Sequence, residues 1–141
     1  MAGFSHRDLD VYKRTVNAIS LIARITGAIP GRDGWLAKQI RRTGGSILLN
    51  LGEGCGEHSS LEKARIFGIS RRSAFEAGDG LQLAKIYTKP NIELIDKADS
   101  ELVHITSMLT KLAMHWEEDG IRKLAEKRKR KKTCTCPCTC S

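Results

Sequence analysis

Aromatic side chains and proline are scarce in this sequence. Two Trp, two Tyr and three Phe serve 141 residues, and there are three Pro. A core with so few rings must be packed from Leu, Ile, Val and Ala, which suits helices better than a β-sandwich. No uninterrupted apolar run approaches the roughly 18 residues that a bilayer demands, so a membrane-spanning helix is excluded. Met1 to Asp8 lacks the basic and then apolar succession of a secretory signal, so a cytoplasmic location is expected. Cysteine is nearly missing from the body of the chain. Cys55 stands alone there, as a small residue expected to be buried, and Cys134, Cys136, Cys138 and Cys140 fall near the C-terminus. Alternate-position cysteines do not have the paired spacing of a zinc site. Their thiolates could take Cu(I) or Zn(II), but a plain low-complexity extension explains them as well, and no metal or cofactor is assigned.

What the chain has is 40% hydrophobic and 28% charged residues, the composition of a single globular domain. The formal net charge of +8 is unevenly spread. Lys127, Arg128, Lys129, Arg130, Lys131 and Lys132 are consecutive; taking these six from the 24 Lys and Arg leaves 18 against 16 Asp and Glu. The body is therefore almost neutral. Six adjacent cations repel one another, so residues 121–141 are expected to form a basic, Cys-rich, low-complexity tail, as a disordered arm or a fraying helix end. Such a run can hold phosphates in a salt-dependent manner, or it can act as a solubilising tail.

Residues 5–120 carry four helical patterns separated by breakers. The first runs from about Ser5, a candidate N-cap, to Ala28, with Leu9, Tyr12, Val16, Ile19 and Ala23 as its apolar stripe. Pro30 and Gly31 stop it. The second spans about Trp35 to Cys55 with Leu36, Ile40, Ile47 and Leu51 on one face; Gly44 and Gly45 in its middle imply close approach of another helix, or a kink. Ser59 and Glu62 have capping-box spacing and open a third helix that reaches about Tyr87, with Phe67, Ala74, Gly78 and Leu81 aligned. The fourth has the cleanest pattern, Ile95, Ala98, Leu102, Ile105, Leu109, Leu112 and Trp116, and Asp119-Gly120 is expected to end or loosen it. Four helices with short turns give an all-α, antiparallel up-down-up-down four-helix bundle.

No catalytic constellation emerges, and an enzyme is not expected. Glu101 and His104 form one Glu-x-x-His pair where a di-iron bundle needs two, and both flank the Leu102/Ile105 seam. Cys55 and His58 lie at a turn with no evident orienting partner. The Gly52–Glu57 segment lacks the Gly-Lys-Ser/Thr ending of a phosphate loop. Basic residues are the better candidates. Lys38 and Arg42, with Arg41 beside them, and Arg65 and Arg72, with Arg71 beside them, place parallel basic stripes on helices two and three. Glu57, Glu62 and Glu76 could balance them as an ordinary solvated face. With few rings available for stacking, RNA would be read through its backbone and shape.

The segment Gln39, Ile40, Arg41, Arg42, then Ser46, Ile47, then Asn50, Glu53 and Gly54 resembles the signature of the bacterial four helix bundle protein family, also called the 23S rRNA intervening-sequence protein family. Arg71, Ser73, Ala74 and Glu76 match its third-helix motif, with Arg72 in place of the usual Gly, and Met108 to Leu112 is similar to its fourth-helix ending. The resemblance covers about residues 8–116; Gly52 stands where Ala is commoner. It implies an antiparallel bundle assembled as a homopentamer. A related protein, the accessory variability determinant of diversity-generating retroelements, is a basic pentamer that binds RNA and a reverse transcriptase, so both become expected partners. Gln39, Ser46, Asn50, Glu53, Gly54, Ser73 and Glu76 are expected as structural or oligomer-interface residues, with Glu53 pairing to Arg42 or Arg71 and Asn50 satisfying backbone near the glycine turn. The alternative is a protein-binding scaffold ring encoded in an rRNA intervening sequence or similar locus, whose RNA contact is incidental, suggested by the near-neutral body and by glycines such as Gly68, Gly78 and Gly80; the residues do not decide between the ribosomal-locus and retroelement roles.

Overall fold

The computed structural model describes residues 5–133, and within them the four expected helices are the architecture. A 3-10 turn over Ser5–Asp8 leads into α1 (Asp10–Gly27); a second, Gly31–Asp33, precedes α2 (Gly34–Gly56); α3 (Ser60–Tyr87) and α4 (Ile92–Thr133) complete the chain. Each helix packs on the next and α1 closes against α4, so the connections alternate up and down around one core. No helix among the described residues is long and apolar enough to cross a membrane.

The core is aliphatic. Ile22, Leu36, Ile40, Ile47, Leu81 and Ile105 are among its fully buried members, and Phe67 is its one buried ring among the described residues. In α4 the expected seam is present from Ile95 to Leu109, with Leu112 and Trp116 half-buried at its end. In α1 the expected stripe needs correction. The buried residues are Val11, Thr15, Ala18, Ile22, Ile25 and Thr26, whereas Leu9 and Val16 of the expected stripe are each 42% exposed. Helix α1 is apolar over more than one stripe, and the bundle selects the narrower side, where Ala18 and Thr15 permit close approach. Thr15 enters the core because its Oγ1 donates to the Val11 carbonyl at 2.7 Å. Ser5 does not cap α1 either, since the 3-10 turn intervenes and Leu9 is the N-cap residue.

Two other features differ from expectation in detail. Of the glycine pair in α2, Gly44 alone is a contact: a Cβ there would lie 3.2 Å from Ile22 Cδ1, and one at Gly45 would meet nothing. The α3 cap is shared between two residues. Ser59 Oγ accepts the Glu62 N–H at 3.5 Å, while Glu57, not Glu62, accepts the N–H of Ser59 (2.9 Å) and of His58 (2.7 Å). Those backbone donors hold the Glu57 carboxyl below its usual range.

The larger departure is at the C-terminal end. Asp119-Gly120 does not end α4, which continues without a break to Thr133 and therefore includes the run of six cations. Residues 121–133, expected as a disordered arm or a fraying helix end, are therefore a helical continuation of α4. The four tail cysteines lie outside the described residues. Leu61 supplies the physical reason. It packs against Gly120 so closely that a Cβ there would be 2.5 Å from Leu61 Cδ2. The glycine is a contact point for the start of α3, and the hydrogen-bond ladder of α4 passes through it.

Candidate nucleic-acid interface

The seam between α2 and α3 is built on small polar side chains. Ser46 and Ser73 meet at 2.9 Å between their hydroxyl oxygens. Asn50 Nδ2 donates to the Ser46 carbonyl (2.8 Å) and to its Oγ (3.0 Å), and Ser70 Oγ crosses to the Ile47 carbonyl at 2.8 Å. Nearer the start of α2, Gln39 Nε2 donates to Glu76 Oε1 at 2.7 Å, and Arg42 Nη2 reaches the same oxygen at 3.3 Å. Gly54 faces Phe67, whose Cε1 lies 2.6 Å from where a Cβ would be. Gln39, Ser46, Asn50, Gly54, Ser73 and Glu76 therefore share one helix–helix contact, where hydroxyls and a bare backbone let two helices approach closely with their polar groups satisfied. The pairing expected for Glu53 is not formed: Arg42 goes to Glu76, and Glu53 is exposed, its charge acting on Arg65.

The cations of α2 and α3 do not make one uninterrupted face. Arg41 turns toward α1, its Nε donating to Thr26 Oγ1 at 2.8 Å, and lines with Lys38 a cavity of about 350 Å³ beside Gly27 and Gly34. Arg42 turns the other way, to Glu76 on α3. Arg65 chelates Glu62 through Nε and Nη2 at 2.5–3.0 Å, which lowers the Glu62 pKa and raises that of Arg65. Arg72 is exposed. Arg71 is half-buried, and its Nε is buried with no hydrogen-bond partner among the described residues. The two parallel stripes are thus broken up by carboxylates at Arg42 and Arg65, while Lys38, Arg41, Arg71 and Arg72 have no carboxylate partner among the described residues.

The densest positive charge is on α4. Every described side chain from Ile121 to Lys131 is exposed, including Lys127, Arg128, Lys129, Arg130 and Lys131, and Lys132 follows in the same helix. At about 100° per residue those positions point in all directions around the axis. The arm is anchored at its root by a network that no sequence motif announces. Asp119 Oδ2 accepts from Ser60 Oγ at 2.5 Å and from Lys123 Nζ at 2.6 Å, while Lys123 also reaches Ser60 Oγ at 3.0 Å. Arg122 Nη2 binds the other oxygen of Asp119. Hydrogen bonds from Lys123 and Ser60 pull the Asp119 pKa down to about 2. Beyond Leu124 the helix extends roughly 14 Å farther.

Other sequence candidates are not brought together. Cys55 lines a cavity of about 590 Å³ with His6, Lys63 and Trp116, whereas His58 lines a different one with Lys123 and Lys127. Cys55 is half-buried and not fully enclosed, and burial raises its thiol pKa against the opposing effect of Lys63. Glu101 pairs with Arg14 at 3.0 Å and His104 is exposed. No group of three or more metal-ligating side chains is assembled among the described residues.

Residues 7–111 match the family described as 23S rRNA-intervening sequence protein. The chain belongs to that family. The match takes in α1, the whole polar seam of α2 and α3, and most of the α4 heptads. It stops before Asp119, so the arm and the α4 side of its anchor lie beyond the region shared with the 23S rRNA-intervening sequence proteins, while Ser60 lies within it. No curated protein matches the sequence significantly.

Proposed function

We propose that this member of the 23S rRNA-intervening sequence protein family is a non-catalytic, cytoplasmic RNA-binding protein. It acts as a homo-oligomer, a pentamer in the form the resemblance implies, and holds structured RNA by its phosphates. The observation that carries the reading is the helical course of α4 through Lys127–Lys132, which carries six cations on a stiff rod beyond the bundle. A backbone already held as helix lowers the entropy lost when its cations bind. Lys38 and Arg72 extend the positive field along the body. Repetition in a ring multiplies that field. An accessory role beside a reverse transcriptase of a diversity-generating retroelement is the specific form of this function.

The test is salt-dependent RNA binding by the full chain. Charge removal at Lys127, Arg128 and Lys131 (each to Gln) is expected to weaken binding to a folded RNA. It should also flatten the salt slope by about 0.7–0.9 for each phosphate that is no longer neutralised. An unchanged affinity and slope would overturn the assignment to the arm. A second reading, a scaffold ring for another protein, is favoured by exposed apolar side chains such as Phe75 (59%) and Val103 (64%). Under that reading, a stoichiometric protein partner survives nuclease treatment in a native pull-down.

A further inference from the structure

Helices α3 and α4 leave an open groove on their outer side. On α3, Phe75, Asp79, Gln82 and Ile86 follow at steps of four, three and four; on α4, Ile92, Asp96, Asp99 and Val103 do the same. The helices are antiparallel, so the two stripes pair along their length. Phe75, Asp79, Gln82, Asp99 and Val103 line one cavity of about 300 Å³. The groove has apolar ends, since Phe75 and Val103 are 59% and 64% exposed at one, and Ile86 and Ile92 are 75% and 50% exposed at the other. Its centre is acidic. Asp96 is paired with Lys85 at 2.7 Å, Asp99 receives only a long hydrogen bond from Gln82 at 3.4 Å, and Asp79 has no ion pair among the described residues.

The complement of this surface is on the same chain but out of its own reach. The α4 arm begins with exposed Ile121 and Leu124 and continues into the run of cations. At its root Leu124 and Lys127 line a cavity with His58 and Leu61 of the same chain, and from there the helix runs on at the end of α4 opposite Ile92. From Ile121 to Thr133 it is about 20 Å long, and the groove from Phe75 to Ile86 is about 18 Å. We infer that the groove between α3 and α4 receives the basic α4 arm of a second copy of the chain, with Ile121 and Leu124 on the Phe75/Val103 end and cations over Asp79 and Asp99. Such a contact is head-to-tail, and it closes into a ring if the rotation between copies permits. Cations surround the arm, so a seated arm still shows positive charge to solvent. The inference rests on the oligomeric part of the function proposed above and gives it an interface.

The test uses nuclease-treated full-length protein and light scattering at low and high salt. Asp79→Lys with Asp99→Lys reverses the groove, and Lys127→Glu with Arg128→Glu reverses the arm. None of the four side chains is in the core, so helicity is expected to be unchanged. Each reversed protein alone should associate at least about tenfold more weakly than the natural chain, and an equimolar mixture of the two should regain association as assemblies of alternating copies, which do not close a five-membered ring. Val103→Ser weakens association without altering charge, and serves as the groove variant should the lysine pair lose helicity. A mixture that stays dissociated overturns the interface. An oligomer indifferent to both reversals overturns the interface and leaves the oligomeric reading standing, whereas a natural chain that is monomeric at every concentration overturns both.

Discussion

Leu61 occupies the space that a side chain at residue 120 would need. A Cβ on Gly120 would lie 2.5 Å and 2.6 Å from its Cδ2 and Cγ and 3.2 Å from its backbone nitrogen. The α3 start is thereby pressed onto α4, and α4 emerges from the bundle as a helix. Gly120→Val is expected to lower unfolding stability by about 1–3 kcal/mol, the usual cost of overpacking. Gly45→Ala, where a Cβ meets nothing, should raise stability by up to about 1 kcal/mol through helix propensity. Urea titration of both variants beside the natural chain checks the pair, and equal effects in the same direction would contradict it.

Asp119 ties the root of the arm to α3. Its folded pKa of about 2 lies below the ordinary 3.8, so the carboxylate stabilises the folded state fully above about pH 4. That contribution is lost as pH falls from about 4 through 2, because the unfolded chain then takes up the proton more readily. The Asp119 carboxyl resonance, followed by NMR over this range, should titrate near 2 in the natural chain. In Ser60→Ala, which removes one donor, the midpoint should move upward.

The Ser46–Ser73 contact should behave as a coupled pair. Ser73→Ala removes one hydroxyl partner and is expected to cost about 1 kcal/mol. Ser46 also accepts a bond from Asn50, so Ser46→Ala disturbs more groups and should cost more. The double variant should be less destabilised than the sum of the two, by thermal or urea unfolding; strict additivity would mean that the hydroxyls do not interact.

Unequal cations should give unequal effects on RNA. Arg72→Gln removes an exposed charge and is expected to weaken RNA binding severalfold at low salt. Arg65→Gln removes one already chelated by Glu62, and should have a smaller effect because the local field there is already offset by that carboxylate. Fluorescence anisotropy with one labelled RNA, at two salt concentrations, compares them directly.

Much of the bundle is legible in the chain because heptad repetition needs no knowledge of neighbours. Ile95 through Leu109 in α4 and Leu36 through Leu51 in α2 are buried as their spacing implies. The inward side of α1 is not legible. Both Leu9/Val16 and Val11/Ile22 are aliphatic at helical spacing, and the distance to α2 and α4 decides between them. The polar seam is half legible: Gln39, Ser46, Asn50, Ser73 and Glu76 stand out as a motif, while their partners are set by the register of α2 against α3.

From the sequence alone come four helices, an aliphatic core and six consecutive cations, since periodicity, composition and charge are local properties. Tertiary structure decides the fate of Asp119-Gly120. Taken locally, the dipeptide weakens a helix; with Leu61 packed on the glycine and Ser60 and Lys123 bound to the aspartate, it becomes the joint through which α4 leaves the bundle. A residue's preference to end a helix is worth about 1 kcal/mol, and contacts made by segments about sixty residues apart are enough to override it.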